Sequence, residues 1–163
     1  MYLHFSRCSI RLFEEQDLNA FSSYRNDLDW MKYQGFKGLT IEEYRQLLLV
    51  PPVIQDGVQF AITLSESNQL IGDIYLKEET DGIWLGYTIA PSFARQGFAE
   101  EAARGVLAHL KTIGQSTVYA GVEPENTASI RLLKKMGFTF LHIDDHGEEI
   151  YYLKLNPQMN MTN

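Results

Sequence analysis

The chain reads as an α+β domain built on a mixed sheet. Two turn signals, Asp81-Gly82 and Asp145-His146-Gly147, call for hairpins and so for antiparallel neighbours. Two strands pass through loops into helices that cross back over the sheet, which calls for a parallel neighbour. At 163 residues with 45% hydrophobic content, one domain with a full core is expected. It should span 1–156, leaving the polar tail 157–163 frayed.

The elements follow in order. Leu3 to Leu12 alternates, with Phe5, Ile10 and Leu12 inward, so a first strand is expected. Glu14 to Asp27 reads as a helix with Leu18, Phe21, Tyr24 and Arg25 near helical spacing. The segment DWMKYQGFKG, 29–38, is aromatic and glycine-punctuated, which predicts an ordered loop. Thr40 followed three residues later by Glu43 is a capping box, predicting a helix over Ile41 to Leu49 that Pro51-Pro52 stops. A meander follows, with strands at Val58–Leu64, Leu70–Lys77 and Ile83–Ala90. The next helix opens near Phe98 and ends at Gly114. Its small residues Ala99, Ala102, Ala103 and Gly105 let it lie close against a sheet. Ser116 to Val122 is a strand, Thr127 to Met136 a helix stopped by Gly137, and Phe138–Ile143 with Glu149–Leu155 a final hairpin.

Composition narrows the function. The 14 basic and 21 acidic residues give a net charge of −7 with no basic stripe, which argues against nucleic acid or an anionic membrane as main partner. Such a balance suits a cationic acceptor such as an amine, and equally suits plain solubility. Cys8 is the single cysteine, so no internal disulfide forms and a cytoplasmic setting is expected; its alternating context predicts a small buried hydrophobe. No apolar run reaches membrane-spanning length, and MYLHFSRCS lacks a signal-peptide core. His4, His109, His142 and His146 show no ligand spacing, so no metal is expected. There is no Walker lysine and no Rossmann glycine triplet.

Two stretches carry the chemical signal. WLGYTIAPSFARQGFAEEAA, Trp84 to Ala103, is a strand, a glycine loop and a helix start. Free backbone N–H groups and the positive end of a helix dipole meet there, which favours a phosphate-bearing ligand. In VEPENTASIRLLKKMGF, Asn126, Ser129 and Leu133 share one helix face beside the apolar stripe of Ile130, Leu133 and Met136. Asn126 is either a helix cap or a ligand contact.

LGYTIAPSFARQGFAEEA and VEPENTASIRLLKKMGF, with SIRLFEEQDLNAF, MKYQGF and TIEEY nearer the N-terminus, resemble the GNAT superfamily of N-acetyltransferases. The branch is that of the ribosomal-protein N-acetyltransferases, RimJ/RimL-like. The resemblance implies the GNAT fold, with a mixed central sheet of about seven strands and helices on both faces. It implies acetyl-CoA as cosubstrate, and direct transfer to a primary amine in a ternary complex. The acceptor would be a peptide or protein N-terminus or a small amine, and the protein a monomer or homodimer. Arg95, Gln96, Gly97, Phe98, Ala99 and Glu100 would cradle the pyrophosphate, mainly through main chain. Tyr87, Thr88 and Ile89 would line the pantetheine arm as an added strand does, and Asn126 would bond to it.

Two loop positions depart from the family pattern. Ala94 stands where Arg or Gln is frequent, and Arg95 where glycine is common; Arg95 either complements phosphate or is solvated. Leu133 occupies the position of the usual tyrosine acid, and the branch resemblance gives protonation of the leaving thiolate to Ser129. The base would come from the last hairpin, Glu148 or Glu149, unless these are ordinary solvated turn carboxylates. Tyr33, Gln34 and Phe36, with Tyr87, are the expected substrate pocket. A second reading is a CoA-binding GNAT module without efficient transfer, serving sensing or assembly.

Overall fold

The computed structural model describes residues 1–156, so the expected fraying of 157–163 lies outside the described residues. Eight strands form one sheet: β1 (Leu3–His4), β2 (Cys8–Leu12), β3 (Val58–Leu64), β4 (Leu70–Glu79), β5 (Gly82–Ile89), β6 (Thr117–Val122), β7 (Thr139–Ile143) and β8 (Glu149–Lys154). Their order across the sheet is β1-β2-β3-β4-β5-β6-β8-β7. All neighbours are antiparallel except β5 and β6, which run parallel because a helix crosses between them. The eighth strand corrects the expected count of about seven. The first apolar run breaks where Phe5 N–H turns back onto the Cys8 carbonyl at 2.9 Å, splitting it into β1 and β2.

Helices cover both faces. On one side lie α1 (Leu18–Arg25) and α2 (Ile41–Leu48); on the other lie α3 (Phe98–Thr112) and α4 (Thr127–Lys135). The expected helix from Glu14 begins as a tighter turn, Glu15–Asp17. Asp17 is the cause: its carboxylate accepts from Arg11 at 2.7 and 2.9 Å and from Glu14 N–H at 2.8 Å. Thr40 and Glu43 do form the predicted capping box at the start of α2.

The larger core cluster packs Ala102, Ala103, Val106 and Leu110 of α3, Leu133 of α4 and its C-cap Met136 against the sheet. Gly105 serves the N-terminus instead: a Cβ there would lie 2.0 Å from the Phe5 ring. The smaller cluster is aromatic, with Phe21 meeting Phe13 and Tyr44 edge-on at 5.0 Å. Leu12, expected inward, is 41% exposed at the end of β2 and faces a cavity described below. Cys8 is fully buried, as its alternation predicts, and its thiol donates to Glu101 at 3.1 Å. Burial first, and that bond second, push the thiol pKa up to about 12, so it is inert as a thiolate.

Candidate active site

The sheet opens at its centre. β5 pairs with β4 along its whole length, Gly82 to Ile89, but pairs with β6 only at Ile83–Val118 and Trp84–Tyr119. Past these two pairs the strands part. Ala90 N–H donates to the Ile71 carbonyl at 2.8 Å, so antiparallel alternation turns the N–H and C=O groups of Ile89 and Tyr87 away from β4 and into the gap. One of these groups is engaged: the Trp30 indole N–H donates to the Ile89 carbonyl at 2.9 Å. The rest of that edge is a strand waiting for a partner.

At the far end of β5 the chain enters α3 through a loop of unusual backbone. Arg95 and Gly97 both have positive φ, +61° and +82°. For arginine that conformation costs roughly 1–2 kcal/mol, which explains why glycine suits this position. Glu101 N–H is the first to close a helical bond, onto the Gly97 carbonyl at 3.0 Å. The N–H groups of Phe98, Ala99 and Glu100 are therefore free of helical partners, and the loop with them forms an anion-binding concavity. A side chain at Gly97 would be strained in φ and would start 3.2 Å from the Arg7 guanidinium.

Arg7 is a residue that sequence reasoning missed. From the β1–β2 turn it donates to the Gln96 carbonyl at 2.8 Å and stacks over the Phe98 ring at 4.4 Å. It pins the loop from outside, 89 positions away in sequence, so no local pattern announces it. The Gln96 side chain is turned away from the cavity, its amide donating to the Ser92 carbonyl at 3.4 Å, which leaves only its main chain for the cradle role expected of it. Glu100 lines the cavity but is tied to Lys135 at 2.8 Å and Arg104 at 2.9 Å. Those cations, Lys135 foremost, lower its pKa.

A cavity of about 600 Å³ joins these features. Its walls hold Tyr87, Thr88, Ile89, Arg95, Gly97, Phe98, Ala99, Asn126, Ser129 and Tyr33. Near its inner end two hydroxyls meet: Tyr87 Oη and Ser129 Oγ lie 3.1 Å apart. Burial raises the Tyr87 pKa, which keeps the phenol protonated and able to donate. Ser129 is placed by its own helix start, because Asn126 Oδ1 accepts from Ser129 N–H at 3.3 Å. Asn126 is thus the N-cap, one of its two expected roles, with its side chain also on the cavity wall. Leu133 is 1% exposed within the core, so α4 offers no hydroxyl there.

A second cavity, of about 490 Å³, lies on the α1–α2 face of the sheet. Its floor is Gln59, Asp73, Tyr75, Gly86 and Thr88, which the register places on adjacent same-face positions of β3, β4 and β5. Gln34, Tyr87 and Thr88 border both cavities. Phe36 faces this one while its ring packs against Tyr44 at 5.5 Å, so it serves core and cavity together. Tyr33 borders the first cavity instead. Beneath the floor, Arg25 donates to Asp73 at 2.6 Å, Thr88 Oγ1 at 3.3 Å and the Phe36 carbonyl at 3.0 Å. Tyr24 donates to the same carboxylate at 2.5 Å. Burial pushes the Asp73 pKa up, while Arg25 and Tyr24 hold it down in opposition.

Glu148 borders neither cavity. Its carboxylate sits over Gly121 of β6, 3.1 Å from where a Cβ would be, among Asp144 and Glu123. Trp84 and Tyr119 stack at 5.3 Å, so Gly121, two residues on from Tyr119, shares the face of Gly86 and Thr88. Burial first, then Asp144 and Glu123, raise the Glu148 pKa. Glu149 accepts from the Tyr151 hydroxyl at 3.0 Å.

A parallel strand pair that parts at mid-sheet, with an N–H cradle at the end of the gap, defines the fold and site of the acetyl-CoA-dependent acetyltransferases. The chain belongs to the GNAT acetyltransferase family: the model of the acetyltransferase (GNAT) domain matches residues 7–139. It is 31% identical over 142 residues to the uncharacterized N-acetyltransferase YnaD of Bacillus subtilis (strain 168), covering 84% of this chain and 82% of that one. Among solved structures, a GNAT-family acetyltransferase from Bacillus anthracis superposes with a TM-score of 0.80 at 26% identity, over 93% of this chain and 96% of that one. RimL, a ribosomal L7/L12 α-N-protein acetyltransferase in complex with coenzyme A, shares the fold with a TM-score of 0.83 at 14% identity, over 95% and 98% of the two chains.

Proposed function

We propose that this acetyltransferase moves the acetyl group of acetyl-CoA to a primary amine, with the cofactor in the larger cavity and the amine in the smaller. The amine is a peptide N-terminus or a small molecule, and the reaction belongs to the cytoplasm. The observation that carries the reading is the Tyr87–Ser129 hydroxyl pair, in which Tyr87 borders both cavities and Ser129 the larger. The residues present fit the cofactor. The gap-facing N–H and C=O of Tyr87 and the N–H of Ile89 match the amides of a pantetheine arm, and the free N–H groups of Phe98, Ala99 and Glu100 match a pyrophosphate. Arg95 adds positive charge beside them.

Bound acetyl-CoA supplies an activated thioester whose sulfur is the leaving group. A gap-facing backbone N–H of β5 polarises the carbonyl as charge builds on its oxygen. Glu148 takes the proton from the ammonium, whose unperturbed pKa is about 10.4 for a lysine-like amine and about 7.7–8.0 for an α-amine. Its raised pKa makes it a stronger base than an ordinary carboxylate, and its distance from the cavities calls for relay through water. The C–N bond forms and the C–S bond breaks; Ser129 Oγ–H gives its proton to the sulfur, and the second proton, which the nitrogen loses as the amide forms, passes through water to restore the Tyr87–Ser129 pair. Tyr87, hydrogen-bonded to Ser129, replaces that proton.

Ser129→Ala tests the acid. With a panel of amines and free CoA thiol as readout, kcat should fall about 100-fold while CoA affinity changes little. Unchanged turnover contradicts the assignment. The buried Leu133 favours the second reading, a CoA-binding module; tight CoA binding with no turnover by the wild-type protein across the panel would establish it.

A further inference from the structure

We propose that the amine taken by the smaller cavity is carried on a compact apolar body with a single hydrogen-bonding group, and not on a polycation. The proposal rests on the acceptor assignment above and names its substrate class. Three observations support it independently of the fold.

First, the rim is apolar and faces water. Leu47, Val50 and Val53 are 55%, 54% and 47% exposed, and Pro51 and Pro52 lie between the valines. All five border the cavity, and the described residues cover none of them with another element. A run of exposed apolar side chains at a cavity mouth is a surface for an apolar ligand.

Second, the charge inside is cancelled. The charged groups bordering the cavity are Arg25, Asp73 and Asp56. Arg25 and Asp73 hold each other at 2.6 Å, with both side chains almost fully buried. That leaves Asp56, exposed at the rim, as the one carboxylate there to meet a cation. Asp56 borders only the smaller cavity, so it can draw an ammonium group in at the mouth and leaves no second anion for a further one. A polyamine would have to desolvate further charges against Arg25 and an aliphatic wall, which is strongly unfavourable.

Third, the floor carries an unmet acceptor. Gln59 Oε1 is buried with no hydrogen-bond partner among the described residues. A buried amide oxygen left alone is costly, and a hydroxyl or N–H on the ligand would satisfy it. A volume of about 490 Å³ holds an arylalkyl or branched aliphatic amine with room for that contact.

The test is competition among four acceptors at saturating acetyl-CoA: 2-phenylethylamine, tyramine, spermidine and a serine-initiated peptide, read as CoA release. The two apolar amines should exceed spermidine and the peptide in kcat/KM by about tenfold or more. Tyramine should lead, and Gln59→Leu should remove that lead. The doubly substituted Leu47→Asp, Val53→Asp protein, changed only at exposed sites, should lose most of the preference for apolar amines and keep its CoA affinity. Spermidine or the peptide as best substrate, in a protein that binds CoA normally, overturns the proposal and leaves the transferase reading standing. Failure to bind CoA or to acetylate any amine overturns the reading beneath it.

Discussion

The two cavities that meet at Tyr87 are made of different material. The larger cavity, proposed for the cofactor, offers main-chain groups: the parted edge of β5, the positive-φ loop of Arg95 and Gly97, and the first free N–H groups of α3. The smaller, proposed for the amine, offers side chains, with a floor of Gln59, Asp73, Tyr75 and Thr88 under an aliphatic rim. Main-chain recognition tolerates almost any side chain provided φ and ψ hold. Side-chain recognition changes with each substitution. One fold can therefore keep its cofactor while its acceptor varies, because the two depend on separate sets of residues.

Substitutions in one cavity should leave the other intact. The largest effect belongs to Gly97→Val, which forces a β-branched residue into the left-handed region. CoA affinity should fall about 100-fold or more, measured by calorimetry, while circular dichroism stays native. Asp73→Ala should be the converse. It leaves the Arg25 charge buried and unpaired, and should cost about 3–5 kcal/mol in denaturant unfolding. Among molecules still folded, the amine KM should rise while CoA affinity holds.

Glu148→Gln should act more mildly and through pH. The acid limb of kcat/KM should lie above the usual carboxylate pKa of about 4.3 and disappear in the variant. The folded carboxyl binds its proton more tightly than the unfolded one. Its contribution to stability is therefore full below the unfolded pKa and is lost as pH rises through the raised folded value. Thermal unfolding at pH 7 should thus be no lower in the glutamine variant than in the wild type.

The same division explains what could be read from sequence. The α3 start at Phe98, the Thr40–Glu43 cap and the Asn126–Ser129 spacing are local, and local geometry follows from neighbouring residues. Arg95 stands where the family commonly has glycine, and it adopts the positive φ that glycine would. The contacts that finish the site are long-range. Arg7 to Gln96, Arg25 to Asp73 and Tyr87 to Ser129 span 89, 48 and 42 positions, and nothing in a local period marks them. The strand count fell one short because a turn at Ser6-Arg7 carries no glycine or proline to announce it. Arg25 lies in the helix its spacing predicts, yet that spacing says nothing of the carboxylate it meets.

In the proposed complex the gap-facing edge of β5 pairs with the pantetheine arm. Amide hydrogen exchange with and without CoA tests it residue by residue. Tyr87 and Ile89 N–H should gain protection on binding, as should Phe98, Ala99 and Glu100 in the cradle. Thr88 N–H, which alternation already turns toward β4, should not change. Protection at Thr88 alone, or none at Tyr87 and Ile89 with CoA fully bound, would contradict the account.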